Sequence, residues 1–134
     1  MGITGGCHCG AIRYEVEGEP VHAALCHCTD CRRQAGAPMV SWTLFGNDRF
    51  RVTQGEAAIY ASSEHGRRHF CAACGTGLFY TNDQIFPNQT DVQSATLDMP
   101  EALPPTAQIQ VAERIRWMKD LDSLPAFQRY PGMD

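Results

Sequence analysis

The sequence lacks several features that would assign a protein to a large functional class. No apolar run approaches the ~18 residues that a membrane-spanning helix requires, and the first residues lack the basic and apolar regions of a secretory signal. Lys and Arg form no long run, and the formal net charge is −4. The electrostatic pattern of a nucleic-acid-binding protein is therefore missing as well. From these absences we expect a cytoplasmic protein without a membrane or nucleic-acid partner.

Internal repeats, low-complexity tracts and a glycine-rich phosphate-binding loop are also missing. The segment 62–65 contains serine, glutamate and histidine, but nothing in the sequence places them in the geometry of a catalytic triad, so we interpret it as a solvated loop. The chain of 134 residues suits one domain, 1–134. We expect its core at about residues 5–100 and a peripheral extension at about 101–134, which wraps the domain.

Short strand patterns dominate the expected core. Apolar and charged residues alternate over 12–17, which predicts a half-buried strand. The segments 50–53 and 58–61 are both rich in strand-forming residues and flank Gly55, which predicts a hairpin. Further strands are predicted at 21–25, 39–45 and 92–97.

One helix is predicted, and it is short. The segment 29–35 has Thr29 or Asp30 as a candidate cap and ends before Gly36. A helix of about two turns among many short strands does not change the fold class. The sequence therefore predicts an all-β domain whose loops are held by metal.

Against these absences stand seven cysteines. Because the number is odd, disulfides cannot pair all of them, and closely spaced cysteines in a chain without a secretory signal are typical of metal ligands. Four thiolates close a tetrahedral zinc site, whereas three leave one position open. The cysteines form three groups, which are Cys7 and Cys9, then Cys26, Cys28 and Cys31, then Cys71 and Cys74.

The last pair has the spacing of a zinc knuckle. A tight turn presents the sulfurs of Cys71 and Cys74 to one ion, and Gly75 supplies the positive φ that such a turn commonly needs. If Cys7 and Cys9 complete this site, the middle group keeps its three cysteines and no single cysteine is left over. In the reverse grouping, two of the middle cysteines join the knuckle instead. The first grouping predicts two zinc ions per chain, of which the closed one stabilises the fold by roughly 10 kcal/mol or more and the other is the more labile.

The middle group is the candidate working site. A zinc ion held by Cys26, Cys28 and Cys31 keeps a position for water or for a substrate thiol. Thiolate-bound zinc suits a soft sulfur ligand, and a thiol bound there is deprotonated near neutral pH yet remains nucleophilic. The alternative is a second structural zinc that His27 or a distant residue closes. We expect the rings of His8 and His27, which lie between cysteines, to point away from the metal.

Three segments resemble one known family. Residues 5–14, 26–36 and 68–78, which contain the three cysteine groups, are similar to the glutathione-dependent formaldehyde-activating enzymes, a family that includes centromere protein V-like proteins. The resemblance covers most of residues 5–118. It implies an Mss4-like (β-tent) fold, in which small antiparallel sheets are organised around zinc. The founding enzymes look longer than this chain, and Gln108 stands where the family often has a histidine.

The resemblance also implies ligands and a reaction. The family's reaction is the condensation of glutathione with formaldehyde to S-hydroxymethylglutathione, a carbon–sulfur lyase reaction in the reverse sense. We therefore expect a zinc-dependent carbon–sulfur lyase or synthase that acts on a small thiol, with glutathione as its partner. The alternative is a non-catalytic zinc module that binds a thiol ligand or a protein. The implied ligands are Cys7, Cys9, Cys71 and Cys74 for the structural zinc, and Cys26, Cys28 and Cys31 for the second, catalytic one.

Basic and polar residues beside the cysteines are candidates for binding the thiol. Two arginines follow the middle group directly and two more, at 67 and 68, precede the knuckle. A guanidinium matches a carboxylate of glutathione in a bidentate pair, and the alternative is that these arginines balance the charge of the thiolates or are simply solvated. The nearby tryptophan either lines the same pocket or packs in the core. The candidate substrate-binding residues are Arg32, Arg33, Gln34 and Trp42.

Overall fold

The computed structural model describes residues 2–133 and contains two β-sheets, one α-helix and several short 3₁₀ helices. The strands are β1 (Ile3–Gly6), β2 (Arg13–Val16), β3 (His22–Cys26), β4 (Val40–Gly46), β5 (Phe50–Gln54), β6 (Ala58–Ala61), β7 (Gly66–Phe70), β8 (Gly77–Asn82), β9 (Gln89–Gln93) and β10 (Ala107–Ile109). The helix α1 is Thr29–Ala35, and the 3₁₀ helices are Asn47–Arg49, Ser94–Thr96, Pro100–Ala102, Val111–Glu113 and Arg116–Ser123. The all-β prediction is confirmed.

The strands form a small sheet and a large sheet. The small sheet has the order β1-β2-β5 and is antiparallel throughout. The large sheet has the order β10-β3-β4-β9-β8-β7-β6, in which only the edge pair β10 and β3 is parallel. The chain therefore starts in the small sheet, crosses to the large one at β3, and returns once for β5.

Side-chain alternation explains how the two sheets stack. In β2, Tyr14 and Val16 are fully buried while their neighbours in the strand are not, as the alternation over 12–17 predicts for a strand with one face on the core. β4 lies in the middle of the large sheet and is buried on both faces, with Trp42 on one face and Phe45 on the other. The large sheet is thus covered on two sides, by the small sheet and by α1.

These two sides contain separate cores. The main core lies between the sheets, where the rings of Tyr14 and Phe79 meet edge to face with centroids 5.2 Å apart. Cys7 and Cys71 are buried in this core. A smaller cluster beneath α1 contains Cys26, Cys31, Val40 and Trp42. The first and last cysteine groups therefore share the main core, and the middle group lies in a different part of the molecule.

The single α-helix has the predicted bounds but a different cap. Its N-cap is Cys28, whose Sγ accepts the backbone N–H of Cys31 at 3.2 Å, so the prediction of Thr29 or Asp30 was wrong. A sulfur takes the place of the usual side-chain oxygen because the chain turns here to collect three cysteines. Among residues 2–133, no helix is long and apolar enough to cross a bilayer.

The hairpin predicted around Gly55 is wrong. β5 pairs with β2 in the small sheet, whereas β6 pairs with β7 in the large sheet. Gly55 has a φ of 78°, and a Cβ at this position would lie 2.3 Å from the carbonyl oxygen of Ala11. The glycine therefore serves the crossing between sheets. Both segments have a local strand pattern, but the choice of partner depends on distant contacts that the local pattern does not contain.

After residue 88, one strand has different bounds from those predicted. A further strand extends the large sheet. β9 begins at Gln89 and ends at Gln93, and the 3₁₀ helix Ser94–Thr96 occupies the segment where a strand over 92–97 is predicted. β10 then adds to the edge of the large sheet, and Thr106 N donates to Ala23 O at 2.9 Å. The extension therefore contributes a strand before it continues along the surface.

Candidate metal centres

Four cysteine sulfurs from two distant parts of the chain meet beside the main core. The Sγ atoms of Cys7, Cys9, Cys71 and Cys74, here called the quartet, all lie within 4.8 Å of one another. Cys9 Sγ is 3.6 Å from Cys7 Sγ and 3.8 Å from Cys71 Sγ. A disulfide needs about 2.05 Å, whereas sulfurs that each lie about 2.3 Å from one tetrahedral ion are about 3.8 Å apart. The spacing of the quartet therefore fits a tetrahedral metal ion.

Two similar turns present the quartet, one between β1 and β2 and the other between β7 and β8. In the first, Ile12 N donates to Cys7 Sγ at 3.3 Å. In the second, Cys74 N lies 3.5 Å from Cys71 Sγ. Gly75 has a φ of 84° and nothing within 4 Å of the place where a Cβ would stand. Backbone conformation rather than space therefore favours glycine in the knuckle, as the sequence predicts.

The quartet joins the two sheets. Cys7 and Cys71 are buried, and Cys9 and Cys74 are exposed. Because one turn belongs to the small sheet and the other to the large sheet, an ion held by all four sulfurs would tie the sheets together. The hydroxyl of Thr76 lowers the pKa of the Cys74 thiol to about 5, so this sulfur is a thiolate at neutral pH.

The other three cysteines meet on the opposite face of the large sheet. The Sγ atoms of Cys26, Cys28 and Cys31, here called the trio, lie within 4.8 Å of one another. Cys26 ends β3, Cys28 caps α1, and Cys31 lies in the first turn of α1. One short, continuous segment therefore supplies the whole trio, in contrast to the two turns that supply the quartet.

Contacts within the trio favour one thiolate. A hydrogen bond from Cys26 lowers the pKa of Cys31 to about 5, against the effect of burial, and the charge of Arg68 acts in the same direction. The same contact with Cys31, followed by burial, raises the pKa of Cys26. Because thiolates rather than thiols are the metal ligands, this shift favours the ligand form of Cys31.

Arg68 of β7 brings a positive charge to the trio. Its side chain is only 8% exposed, and its Nη1 and Nη2 each lie 3.9 Å from Cys31 Sγ. Its Cζ lies 4.8 Å from the centre of the Tyr80 ring, within the range of a cation–π contact. Arg67 instead donates to loop carbonyls, among them Ser63 O. The sequence does not distinguish the two arginines, because nothing in it shows which face of β7 meets the trio.

A buried carboxyl group lies on the same face of the sheet. Asp91 of β9 lies directly across from Tyr80, so the two side chains share a face. Asp91 is 5% exposed, and its Oδ1 has no hydrogen-bond partner among residues 2–133. Burial, and then the negative charge of Cys31, raise the pKa of Asp91 to about 7. A single aspartate within a strand forms no motif, and sequence analysis missed it.

A cavity of ≈ 300 Å³, here called the Arg68 cavity, lies between α1 and the knuckle turn. Two of the predicted substrate-binding residues, Gln34 and Trp42, line it. Trp42 also packs in the cluster around the trio, so its two interpretations are not exclusive. The lining residues are Gln34, Ala35, Trp42, Arg68, His69, Phe70, Gly75, Gly77, Phe79 and Gln93.

Arg32 and Arg33 lie elsewhere. They belong to the last turn of α1, where basic charge complements the helix dipole, and they line a shallow pocket that also contains Trp117. Neither lines the Arg68 cavity. The structure therefore does not bring these arginines into one pocket with Gln34 and Trp42, because the helical turn points consecutive residues in different directions.

The C-terminal extension holds the segment that carries the trio. His27, only 1% exposed, donates its backbone N–H to Ile109 O at 3.1 Å, and its Nε2 lies 2.8 Å from Gln108 Oε1. The Glu113 carboxylate accepts the N–H of Thr29 at 2.7 Å. Gln108, Ile109 and Glu113, here called the strap, thus contact the turn between β3 and α1. Within residues 2–133, neither ring nitrogen of His27 joins the ligand atoms of the trio.

The donor sets of both groups suit zinc. Thiolate sulfur is a preferred zinc ligand, and four sulfurs at tetrahedral spacing form a closed site. The trio offers three sulfurs, and no fourth His, Cys, Asp or Glu ligand groups with them among the described residues. The quartet therefore matches a structural site, and the trio matches a site with one open position.

Comparison with known proteins identifies a family for the chain. The family model of the glutathione-dependent formaldehyde-activating enzymes matches residues 2–113. The chain is 30% identical over 113 residues to a Halomonas elongata protein provisionally named as such an enzyme, an alignment that covers 78% of this chain and 71% of the relative. It is 35% identical over 81 residues to an uncharacterised lyase of Schizosaccharomyces pombe, covering 58% of each.

A solved structure has the same architecture. The crystal structure of a Rhodobacter sphaeroides protein superposes with a TM-score of 0.61 at 25% identity, covering 79% of this chain and 99% of that one. The predicted Mss4-like fold of small sheets is confirmed. The match to the family model extends from β1 to the strap and includes every cysteine of the quartet and the trio. The chain belongs to the glutathione-dependent formaldehyde-activating enzyme family.

Proposed function

We propose that the chain is a zinc-dependent carbon–sulfur lyase or synthase whose working site is the trio. Its substrates would be glutathione and formaldehyde, and its product S-hydroxymethylglutathione. In this direction a bond forms between the thiol sulfur and the carbonyl carbon, and the thiol proton ends on the former carbonyl oxygen. The step needs no oxidant or reductant. The quartet would hold a second, structural zinc.

One observation carries this proposal. On a single face of the large sheet, three sulfurs converge with a buried guanidinium beside a cavity, in a chain of this family. A buried carboxyl group, that of Asp91, lies on the same face. Buried charged groups gathered beside a cavity are costly for stability and are therefore typical of functional sites.

The residues around the trio have separable roles in this proposal. Zinc bound by Cys26, Cys28 and Cys31 would supply a Lewis-acid position that accepts a soft sulfur and lowers the pKa of the bound thiol. Arg68 balances the negative charge of the sulfurs. The carboxyl of Asp91, whose pKa is about 7, can donate a proton to an oxygen or accept one near neutral pH.

The test is the rate of condensation of glutathione with formaldehyde, followed by magnetization-exchange NMR with the zinc-loaded protein. We expect acceleration over the uncatalysed rate, and we expect Cys28→Ser to abolish it. His8→Ala is the matched control, because His8 is exposed between two quartet cysteines and away from the trio. An unaccelerated rate would contradict the enzymatic proposal, and thiol binding without acceleration would support a non-catalytic zinc module instead.

A further inference from the structure

Arg68 is a buried cation without a carboxylate partner. None of the ion pairs found among residues 2–133 includes it, although its side chain is only 8% exposed. Its contacts are the sulfur of Cys31, at 3.9 Å from each Nη, and the face of the Tyr80 ring. Burying a guanidinium is costly unless anionic groups accept its hydrogen bonds. One sulfur at this distance does not satisfy the five N–H donors of an arginine.

The remaining side of Arg68 borders the Arg68 cavity. No Asp or Glu is among the residues that line this cavity, while Gln34 and Gln93 add amide groups that can donate hydrogen bonds. The protein as a whole has a net charge of −4, so this cavity is locally basic in an acidic molecule. Its chemistry suits an anion small enough for ≈ 300 Å³, and a guanidinium pairs most specifically with a planar carboxylate.

The position of Arg68 relates this anion site to the trio. The same guanidinium that borders the cavity lies 3.9 Å from Cys31 Sγ. A carboxylate that pairs with Arg68 at about 2.8 Å is thus separated from the trio by little more than the width of one guanidinium. Trp42 also borders both the cavity and the trio cluster. No trio cysteine lines the cavity, so a small molecule with its sulfur at the trio has to extend past this guanidinium to place a carboxylate in the cavity.

We propose that Arg68, with Gln34 and Gln93, forms a carboxylate subsite that selects acidic thiols over neutral thiols at the trio. This inference rests on the proposed function, because it assumes that a thiol binds at the trio. Of the four arginines for which the sequence suggests carboxylate binding, it selects Arg68. It also defines the substrate class by charge, as a thiol whose carboxylate lies within a few bonds of its sulfur.

The test compares two thiols that differ only at the carboxyl group, N-acetylcysteine and N-acetylcysteine amide. Their dissociation constants are measured by isothermal titration calorimetry with the zinc-loaded protein. We expect the acid to bind about 10–100-fold more tightly than the amide, which is the effect of one charge-assisted hydrogen-bonded pair between the carboxylate and Arg68. In Arg68→Gln we expect this ratio to fall to about one, and any loss of charge balance at the sulfurs changes both affinities by a common factor that the ratio removes. Comparing the ratio between proteins cancels the different acidities of the two thiols.

Two further variants make the result specific. Arg67→Gln is the matched control, because Arg67 donates to loop carbonyls and does not line the cavity, and we expect it to keep the wild-type ratio. Arg68→Lys keeps the charge without the planar fork, so we expect an intermediate ratio. It also serves as the test if Arg68→Gln fails to fold.

The outcomes distinguish this inference from the proposed function. If both thiols bind the wild-type protein equally, the subsite is overturned while thiol binding at the trio stands. If Arg68→Gln weakens both thiols by the same factor, Arg68 only balances the charge of the sulfurs, and the subsite is again overturned. If neither thiol binds, the proposed function fails as well.

Discussion

The quartet and the trio use the same ligand atom in two different settings. The quartet draws its sulfurs from two turns that are far apart in the chain, and half of them are buried in the main core. The trio draws its sulfurs from one segment between β3 and α1. An ion at the quartet would therefore hold two sheets together, whereas an ion at the trio would constrain only a few residues that β3 and α1 already position.

The quartet and the trio also differ in the residues that surround them. Beside the quartet lie backbone N–H groups and apolar core residues. Beside the trio lie a buried arginine, a buried aspartate and a cavity. Ionisable groups that are buried without an oppositely charged side chain in an ion pair reduce stability, so their presence beside the trio favours a functional over a folding role. We therefore expect the quartet to stabilise the fold, and we propose the trio as the site of the chemistry.

The largest expected effect is the loss of folding stability when a quartet cysteine, and not a trio cysteine, is replaced by serine. Cys71→Ser removes a buried quartet ligand, and we expect a loss comparable with the whole stability of a domain, about 5–15 kcal/mol, so that the protein no longer folds. Cys28→Ser is the matched variant, and we expect it to stay folded with a loss of about 1–2 kcal/mol, because serine can still cap α1. Circular dichroism and urea unfolding measure both. Equal unfolding of the two variants would show that the trio is structural as well.

The second prediction tests whether the surroundings of the trio reduce stability. Burial raises the pKa of Asp91 from 3.8 to about 7, so folding favours the neutral acid. Its contribution to stability is therefore complete below about pH 4 and is lost as the pH rises through 7. A shift of about three units corresponds to at most about 4 kcal/mol.

We therefore expect Asp91→Asn to be more stable than the wild type at pH 8 and about equal to it at low pH, in contrast to every quartet substitution. Urea unfolding between pH 4 and pH 8 measures the difference. Asp83→Asn is the control, because Asp83 is exposed. If Asp91→Asn is less stable than the wild type at pH 8, the carboxylate has a stabilising partner. Burial of Asp91 then does not reduce the stability of the protein.

The sequence predicts the local parts of this comparison and misses the distant ones. The helix at 29–35 and the knuckle follow from residues that are close in the chain, as does most of β4. The separate pairing of β5 and β6 was missed, because strand propensity does not specify a partner. Arg68 reaches Cys31 from 37 residues away, and only the register of β7 and β8 decides that Arg68, not Arg67, faces the trio.

A substitution in the strap is expected to have a smaller effect, on zinc binding at the trio alone. Glu113 accepts the N–H of Thr29 in the first turn of α1, and this hydrogen bond lowers the pKa of Glu113. Because the contact orients the segment that carries the trio, we expect Glu113→Ala to weaken zinc binding at the trio about tenfold. We expect zinc at the quartet to be unaffected.

Competition with a chromogenic chelator measures this difference, since it resolves a weakly bound and a tightly bound equivalent of zinc. Glu101→Ala is the control, because Glu101 is an exposed glutamate outside the strap. Equal weakening of both equivalents would mean that the strap stabilises the whole domain rather than the segment of the trio.

The smallest effect lies on the side of the quartet. Asp98 accepts hydrogen bonds from Thr4 at 2.6 Å and from Arg13 Nη1 at 3.0 Å, and these contacts with β1 and β2 lower its pKa. Because folding lowers this pKa, the Asp98 carboxylate stabilises the protein above about pH 4. This contribution is lost as the pH falls through the pKa of the folded state. Because the pair is partly exposed, with side chains 34% and 44% accessible, water screens it and its value stays below about 1 kcal/mol.

Asp98→Asn therefore tests whether ordinary surface contacts, rather than sulfur ligands, hold the small sheet in place. We expect a loss of less than about 1 kcal/mol at pH 7, which shrinks further in 1 M salt because the charges are screened. Arg51→Gln, which breaks the more exposed pair with Glu15, is the matched control. Urea unfolding at low and high salt measures both. A loss from Asp98→Asn as large as that from Cys71→Ser would remove the reason for assigning the stability of this junction to the quartet.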